Sequence, residues 1–381
     1  MKKTGVFANG FIWFGAAVSI AEIEAGTTIG GNWSALIAGH LLGGLMLFAA
    51  GFLGATTRKN AMETTSSTFG RHGMRMFAML NIIQLVGWTA VMIAQGGSAV
   101  TALTGLPYAL PCLALAVLIG VWIFVAFGDR LHLATLAMGA LALLAVVLTW
   151  KLIDATTSGE TADVGFWTAF EISVAMPLSW LPLISDYTST AQHPKTSTAV
   201  SAATYTIVSI WMYALGMQIS RIGGASIADA IMKSGIGVIG LVVVVFSTVT
   251  TTFLDAYSGG ESAKSVFPKA PPRLIGVAIC AFGGMLAIAG LMERYIDFLY
   301  VISSVFAPMA TVLIIDRYFV KRGLVRWNLI AWLTGCLTYQ FADASPIGPT
   351  LTAILVSAVL PPCAKILTPW LRPESATLGR K

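Results

Sequence analysis

The sequence predicts an all-α polytopic membrane protein of about twelve spanning helices, and three observations carry that expectation. Hydrophobic residues make up 56% of the 381-residue chain and charged residues only 10%, with a mean hydropathy of +0.81. An ordinary soluble domain carries about 25% charge, so this composition cannot build a water-facing surface. Apolar runs also recur at lengths near the roughly 20 residues that a helix rising 1.5 Å per residue needs to cross the hydrocarbon layer. Finally, Lys and Arg are asymmetrically placed. With the N-terminus in the cytoplasm, nineteen of the 23 fall inside and only Lys151, Arg221, Lys233 and Arg294 outside. That bias orients multi-spanning proteins, and it predicts an even number of spans in an inner membrane with both termini cytoplasmic.

Apolar runs bounded by charge or turn residues place the spans at 6–30, 34–56, 74–104, 109–127, 131–153, 166–186, 196–220, 235–258, 273–292, 294–316, 324–342 and 348–370. Only Glu293 and Arg294 separate spans nine and ten, and their merger would lower the count to eleven. The segment 154–165 carries acids and no base, as an outer loop should. The first apolar stretch runs past Gly30 without a small-residue cleavage site, so a retained N-terminus is expected. The formal charge of +6 does not point to nucleic acid, because the basic residues sit singly between apolar segments; the expected surroundings are lipid, with no obligate protein partner. Cys112, Cys280, Cys336 and Cys363 show no CxxC spacing and are expected to act as small packing residues.

Two spans depart from the apolar pattern. Span one reads WFGAAVSIAEIEAG, with Ser19, Glu22 and Glu24 at membrane depth, and span six reads FWTAFEISVAMPLSWLPLISDY, with Glu171, Pro177 and Pro182. Interrupted helices five spans apart are the trace of two inverted five-helix repeats whose unwound backbone lines a midplane site. The chain is thus expected to be a single transporter domain, with repeat one at about 6–153, repeat two at about 166–316, and peripheral helices at about 324–370.

An ionisable residue in a spanning helix costs several kcal/mol unless it is paired or faces water, which makes Glu22, Glu24, Glu171 and Asp255 functional candidates. In span three, Asn81, Gln84, Trp88 and Gln95 share one helical face, where a tryptophan can stack on a planar ring and carboxamides can meet its donors and acceptors. In span eight, Ser247, Thr251, Asp255 and Ser258 share a face that offers the hard oxygens a small cation takes, although threonine in a helix often bonds back on its own turn. There is no GxSxG, HExxH or Walker loop, and His40, His72, His132 and His193 lie far apart near span ends. An enzyme is therefore not expected. A channel is disfavoured too, for lack of a charged ring or repeated filter sequence.

These residues resemble the nucleobase:cation symporter-1 family, in its cytosine-permease and hydroxymethylpyrimidine-transporter branch. The resemblance rests on WFGAAVSI, GATTRKNAMETTSSTFGRHG after span two, QLVGWTAV, WLPLISDYTS closing span six, and TVTTTFLDAYSGG in span eight. It implies an inverted-repeat transporter fold of ten core helices plus two. It also implies a sodium site made of two carbonyls at the first-helix bend, falling on Gly15 and Val18, and of a carbonyl and two hydroxyls falling on Ser247, Thr250 and Thr251. A one-residue shift of the latter to Thr248, Thr251 and Thr252 is open. In the family the substrate ring stacks on aromatics of the third and sixth helices. Trp88 matches the first of these, while Pro177 occupies the neighbourhood of the second, with Trp180 three residues on. Ser19 falls where a polar contact from the first helix is implied. The arginine that often follows the family's span-six motif is replaced by Thr188 and Ser189 after Asp186 and Tyr187.

The expected activity is cation-coupled import of a pyrimidine such as hydroxymethylpyrimidine or cytosine by alternating access, with no cofactor. The expected substrate residues are Ser19, Glu22, Gln84, Trp88, Glu171 and Asp255, where Asp255 or Glu171 accepts paired hydrogen bonds from an aminopyrimidine edge. Glu22 is a reserve that would titrate if protons replaced sodium as the driving ion. An amino-acid or other small organic-cation permease on the same fold is the alternative.

Overall fold

A computed structural model of the chain describes residues 3–126, 142–143, 145–147, 149–150, 162–222, 237–290, 294–321, 323–342 and 345–367. Most of expected span five with Lys151, most of the 154–165 segment, Lys233 and Glu293 lie outside them. Among the described residues there is no strand, and the one isolated β-bridge joins Thr4 to Ala191 beyond span six.

Span one is two helices, Val6–Ala17 and Ile20–Thr27, bent by 49°. The break falls at Val18 and at Ser19, which is extended (φ −138°, ψ 155°). The Ser19 hydroxyl accepts the Glu22 amide at 3.2 Å, an N-cap that satisfies a freed N–H at the start of the second helix. Span six is broken as well. Phe166–Ser179 gives way to tight turns through Trp180 and Leu183 before the short helix Ile184–Thr188. Pro177 and Pro182 have no N–H to donate, and the amides of Leu183 and Asp186 turn to the Trp180 and Leu183 carbonyls, which leaves the carbonyls of Ser179 and Pro182 without helical partners. Span three meets them: Gln84 Nε2 lies 3.4 Å from the Ser179 carbonyl and Asn81 Nδ2 3.4 Å from that of Pro182.

The helix carrying span three begins at Ala61, earlier than the expected 74, and runs to Thr104. Asn60 and Glu63 cap it reciprocally, and Thr64, Thr65, Ser66 and Ser67 each donate a hydroxyl to the carbonyl three residues back. This polar stretch therefore satisfies itself as helix despite reading as a loop. Gly70, at φ +72°, separates the short leading helix from the span proper, and that left-handed backbone is open to glycine at little cost.

The other spans close to their expected places, as Trp33–Thr57, Ala109–Ala126, Pro194–Arg221, Gly237–Val266, Pro272–Ile288, Tyr295–Ile315, Val325–Phe341 and Pro349–Leu367. Spans nine and ten are distinct helices. Span eight lies along span three, and span two packs between spans six and seven. Spans one and seven cross closely at glycines: a Cβ on Gly216 would stand 2.1 Å from the Ile23 carbonyl oxygen. That approach lays Tyr205 and Ser209 of span seven against Glu22.

The outside is apolar and the inside carries the charge. Leu45, Ile83, Phe319, Phe341 and Ile366 are exposed, whereas Glu22, Glu171, Asp186, Asp255 and Asp316 are buried. Seven described helices are long and apolar enough to cross a membrane, or eight when the bent pair counts as one span. The chain is a multi-pass helical membrane protein with broken first and sixth spans. Cys112 and Cys280 are buried as expected of packing residues, whereas Cys363 is exposed.

Two of the stretches that carry the resemblance, GATTRKNAMETTSSTFGRHG and WLPLISDYTS, meet each other. Asp186 Oδ1 accepts the Ala61 amide at 2.8 Å, and Arg58 Nη1 donates to the Ser189 carbonyl at 3.2 Å and to that of Ala191. Their shared role is a clasp between the loop after span two and the end of span six.

Candidate functional site

Between the two breaks lies a cavity of ≈ 10 Å³ lined by Ala16, Ser19, Glu22, Trp88, Met92, Met176, Ser179, Trp180, Leu183, Thr251 and Asp255. That is room for about one water molecule. Anything larger enters only when the walls part, and the unbranched Met92 and Met176 are the lining side chains that re-pack most readily.

Trp88 forms one wall, held edge-on by Tyr295 and Phe298 at centroid distances of 6.2 and 5.6 Å. Trp180 forms another, braced by Trp13 at 5.5 Å and Tyr205 at 6.0 Å. Thus Trp180, rather than Pro177, brings an aromatic face from span six. Asp255 is 3% exposed, and among the described residues nothing donates a hydrogen bond to its carboxylate. A buried carboxylate without donors is costly, so this one is suited to a ligand that brings its own N–H groups or positive charge.

One and about two helical turns before Asp255, at Thr251 and Ser247, span eight meets the span-one bend. Ser247 Oγ donates to the Val18 carbonyl at 2.7 Å and Thr251 Oγ1 to the Gly15 carbonyl at 3.1 Å. Four oxygens, Gly15 O, Val18 O, Ser247 Oγ and Thr251 Oγ1, are therefore gathered between the two spans, the hard-oxygen chemistry that a sodium ion takes. The implied set takes a carbonyl and two hydroxyls from Ser247, Thr250 and Thr251, whereas the two hydroxyls at the bend are those of Ser247 and Thr251. The Thr250 hydroxyl is turned back along its own helix to the Phe246 carbonyl at 2.7 Å and that of Ser247 at 3.2 Å. The shifted register fits less well, because Thr252 bonds back to the Thr248 carbonyl at 2.6 Å and Thr248 faces Gly96 of span three.

Of the expected substrate residues, the structure brings Ser19, Glu22, Trp88 and Asp255 to the cavity and leaves two elsewhere. Gln84 stands behind the Ser179 wall, where its amide meets the Asn81 side chain at 2.7 Å and the span-six break, so it braces the turn rather than lining the cavity. Glu171 is drawn to the start of span twelve, accepting the Thr350 amide at 3.0 Å and its hydroxyl at 2.5 Å. A carboxylate there satisfies helix N-terminal donors and complements the helix dipole. Glu171→Ala is accordingly expected to destabilise the protein by about 2 kcal/mol while changing ligand affinity less than twofold. Thermal denaturation with and without ligand checks this; lost affinity at unchanged stability would return Glu171 to the binding site.

Glu24 is half-buried and does not line the cavity. Three participants escape a reading of the sequence. Glu22 Oε1 accepts from Tyr205 at 2.6 Å and Oε2 from Ser209 at 2.6 Å, and Ser209 in turn lies 2.7 Å from Nε2 of His40. His40 is fully buried in span two, not at a span end. Among the described residues no group of three His, Cys, Asp or Glu side chains is placed to hold a metal ion.

No family model matches the chain. The cytosine permease of Escherichia coli (strain K12) is 23% identical over 334 residues, spanning 84% of this chain and 79% of that protein. Among solved structures, a nucleobase-cation-symport-1 family transporter, in a closed conformation with bromovinylhydantoin bound, covers 98% of this chain and 95% of its own at a TM-score of 0.78 and 16% identity. A Na+-coupled sialic acid symporter in a substrate-bound outward-open state covers 97% and 90% at a TM-score of 0.75 and 13% identity. The fold is therefore that of inverted-repeat transporters, and the resemblance to the nucleobase:cation symporter-1 family read from the motifs is supported by both sequence and fold.

Proposed function

We propose that this relative of the cytosine permeases is a cation symporter, not an enzyme, that imports an aminopyrimidine such as cytosine or hydroxymethylpyrimidine by alternating access. The observation that carries the reading is the Asp255 carboxylate, open to a cavity walled by Trp88 and Trp180, with Thr251, one turn before it, among the four oxygens at the span-one bend. The exocyclic amine of an aminopyrimidine donates to such a carboxylate, and the neighbouring ring nitrogen, itself an acceptor, pairs with the second oxygen through one proton carried by either group, while the indoles take the faces of the ring. Ser19 and Glu22 supply polar edges.

Sodium is the favoured coupling ion, with Gly15, Val18, Ser247 and Thr251 as its ligands. Thr251 belongs to both places: its hydroxyl stands among the oxygens, and its side chain lines the cavity. A cation that orders Thr251 and the bend thereby orders the ring site, which is the differential interaction that coupling requires. Rocking of one repeat, at about 6–153, against the other, at about 166–316, would open the cavity to alternate sides, with 324–370 peripheral. The bias of nineteen Lys and Arg residues to one side supports an inner-membrane location with both termini cytoplasmic.

Thermal stabilisation of the purified protein tests this reading, using nucleobases, thiamin-precursor pyrimidines, amino acids and small organic cations, each with and without sodium. Ligands that bind the native state raise its apparent stability. Stabilisation by an aminopyrimidine that grows with sodium is expected. Stabilisation by amino acids or organic cations alone would favour the other permease reading.

A further inference from the structure

Glu22, Ser209 and His40 form an unbroken hydrogen-bonded chain across spans one, seven and two, and its protons can be counted. His40 Nδ1 lies 3.0 Å from the Leu36 carbonyl oxygen, which only accepts, so Nδ1 carries a hydrogen. Nε2 is then bare in a neutral imidazole and protonated in a charged one. Ser209 has one hydroxyl hydrogen for two close neighbours, Nε2 at 2.7 Å and Glu22 Oε2 at 2.6 Å. Were Glu22 ionised and His40 neutral, two acceptors would compete for that single hydrogen, leaving one contact with two facing lone pairs in a buried site.

Two arrangements satisfy every contact. In one, a protonated Glu22 donates to Ser209, which donates to a neutral His40. In the other, a charged His40 donates to Ser209, which donates to the Glu22 carboxylate. They differ only by the movement of protons along the chain, and both hold one proton more than the unsatisfied form.

No neighbour supplies that proton instead. The titratable groups facing the chain are Tyr205 and Tyr213 of span seven, Tyr295 of span ten, Glu24 on the same half-helix and Asp255 across the cavity. Tyr205 already donates to Glu22 Oε1, Tyr213 to the Ile172 carbonyl at 3.0 Å and Tyr295 to that of Ala21 at 3.1 Å. Among the described residues no Lys or Arg forms an ion pair with Glu22.

We propose that Glu22, Ser209 and His40 are a proton-binding site that holds a single shared proton, and that losing it frees the Glu22 carboxylate toward the cavity it lines. The proton count stands on the contacts alone. Its coupling to ligand rests on the reading of the cavity as a substrate site.

Two spectroscopic readouts at neutral pH count the proton: the infrared band of a protonated carboxyl, assigned by its loss in Glu22→Gln, and the 15N signature of His40, assigned by its loss in His40→Gln. One protonated group is expected, either the carboxyl or an imidazolium. An ionised carboxylate with a neutral imidazole, or both groups protonated, overturns the proposal. Glu22→Gln can keep each bond, since its amide donates to Ser209 and accepts from Tyr205, yet it has no proton to lose. In the wild type, ligand stabilisation with cytosine at fixed sodium should therefore change with alkaline pH, and Glu22→Gln should remove that step. Ser209→Ala, which cuts the bridge, should remove it as well and covers a poorly folding Glu22→Gln. A step kept in both variants, or a wild type without one, overturns the link to the cavity. If no nucleobase stabilises at any pH, the substrate reading fails while the spectroscopic count still decides the proton site.

Discussion

Asp255→Ala is expected to leave the protein folded and to weaken aminopyrimidine binding about 100-fold. The carboxylate accepts from the exocyclic amine, and a charge-assisted hydrogen bond contributes roughly 1.5–3 kcal/mol, so losing that bond alone gives a factor of about 10 to 150. Alanine removes both oxygens and leaves the polar edge of the ligand without a partner in a buried cavity, which takes the loss toward the upper end of that range. Stability should not fall, because no described residue donates to Asp255 and no bond within the protein is broken. Isothermal titration with cytosine, alongside thermal denaturation without ligand, separates the two effects. Binding within threefold of wild type would remove Asp255 from the site.

Thr251→Val is expected to abolish sodium stimulation of binding. Valine has the same shape, so it fills the same space against span one while removing the hydroxyl that meets the Gly15 carbonyl at 3.1 Å. One of the four gathered oxygens is lost, and a carbonyl at the bend loses its partner. Wild-type affinity for the pyrimidine should rise at least tenfold between sodium-free and sodium-saturated buffer, whereas the variant should change less than twofold. Thr250→Val supplies the contrast, since its hydroxyl bonds back to Phe246 and not to span one. Equal sodium responses in wild type and Thr251→Val would move the cation elsewhere; a loss in Thr250→Val alone would restore the expected ligand set.

The two breaks were legible because lipid tolerates neither free backbone donors nor unpaired acids, so Ser19, Glu22, Pro177 and Pro182 stand out at membrane depth. Trp88 and Asp255 were marked the same way, by helical spacing that set each on a polar face. The same rule could not tell a ligand site from a brace. Glu171 and Gln84 are as anomalous in a span as Asp255, but their partners, Thr350 and the Ser179 carbonyl, come from 179 and 95 residues away. Which span-eight threonine turns to span one could not be read, because the hydroxyl of a helical threonine has a local carbonyl always within reach, as that of Thr250 does at Phe246, and composition does not say which threonine uses it. His40 gave no signal at all. Its partner Ser209 lies 169 residues on, and only the close crossing of spans one and seven at Gly26 and Gly216 brings that serine to Glu22.

Sodium-driven uptake bears most directly on the central claim that the cavity beside the span-one bend carries a pyrimidine together with a cation. Protein reconstituted into sealed vesicles, with an inward sodium gradient and labelled cytosine or hydroxymethylpyrimidine outside, should accumulate one of these above its outside concentration. The excess should collapse when an ionophore dissipates the gradient. Uptake that stops at equal concentrations under every sodium gradient would contradict the account.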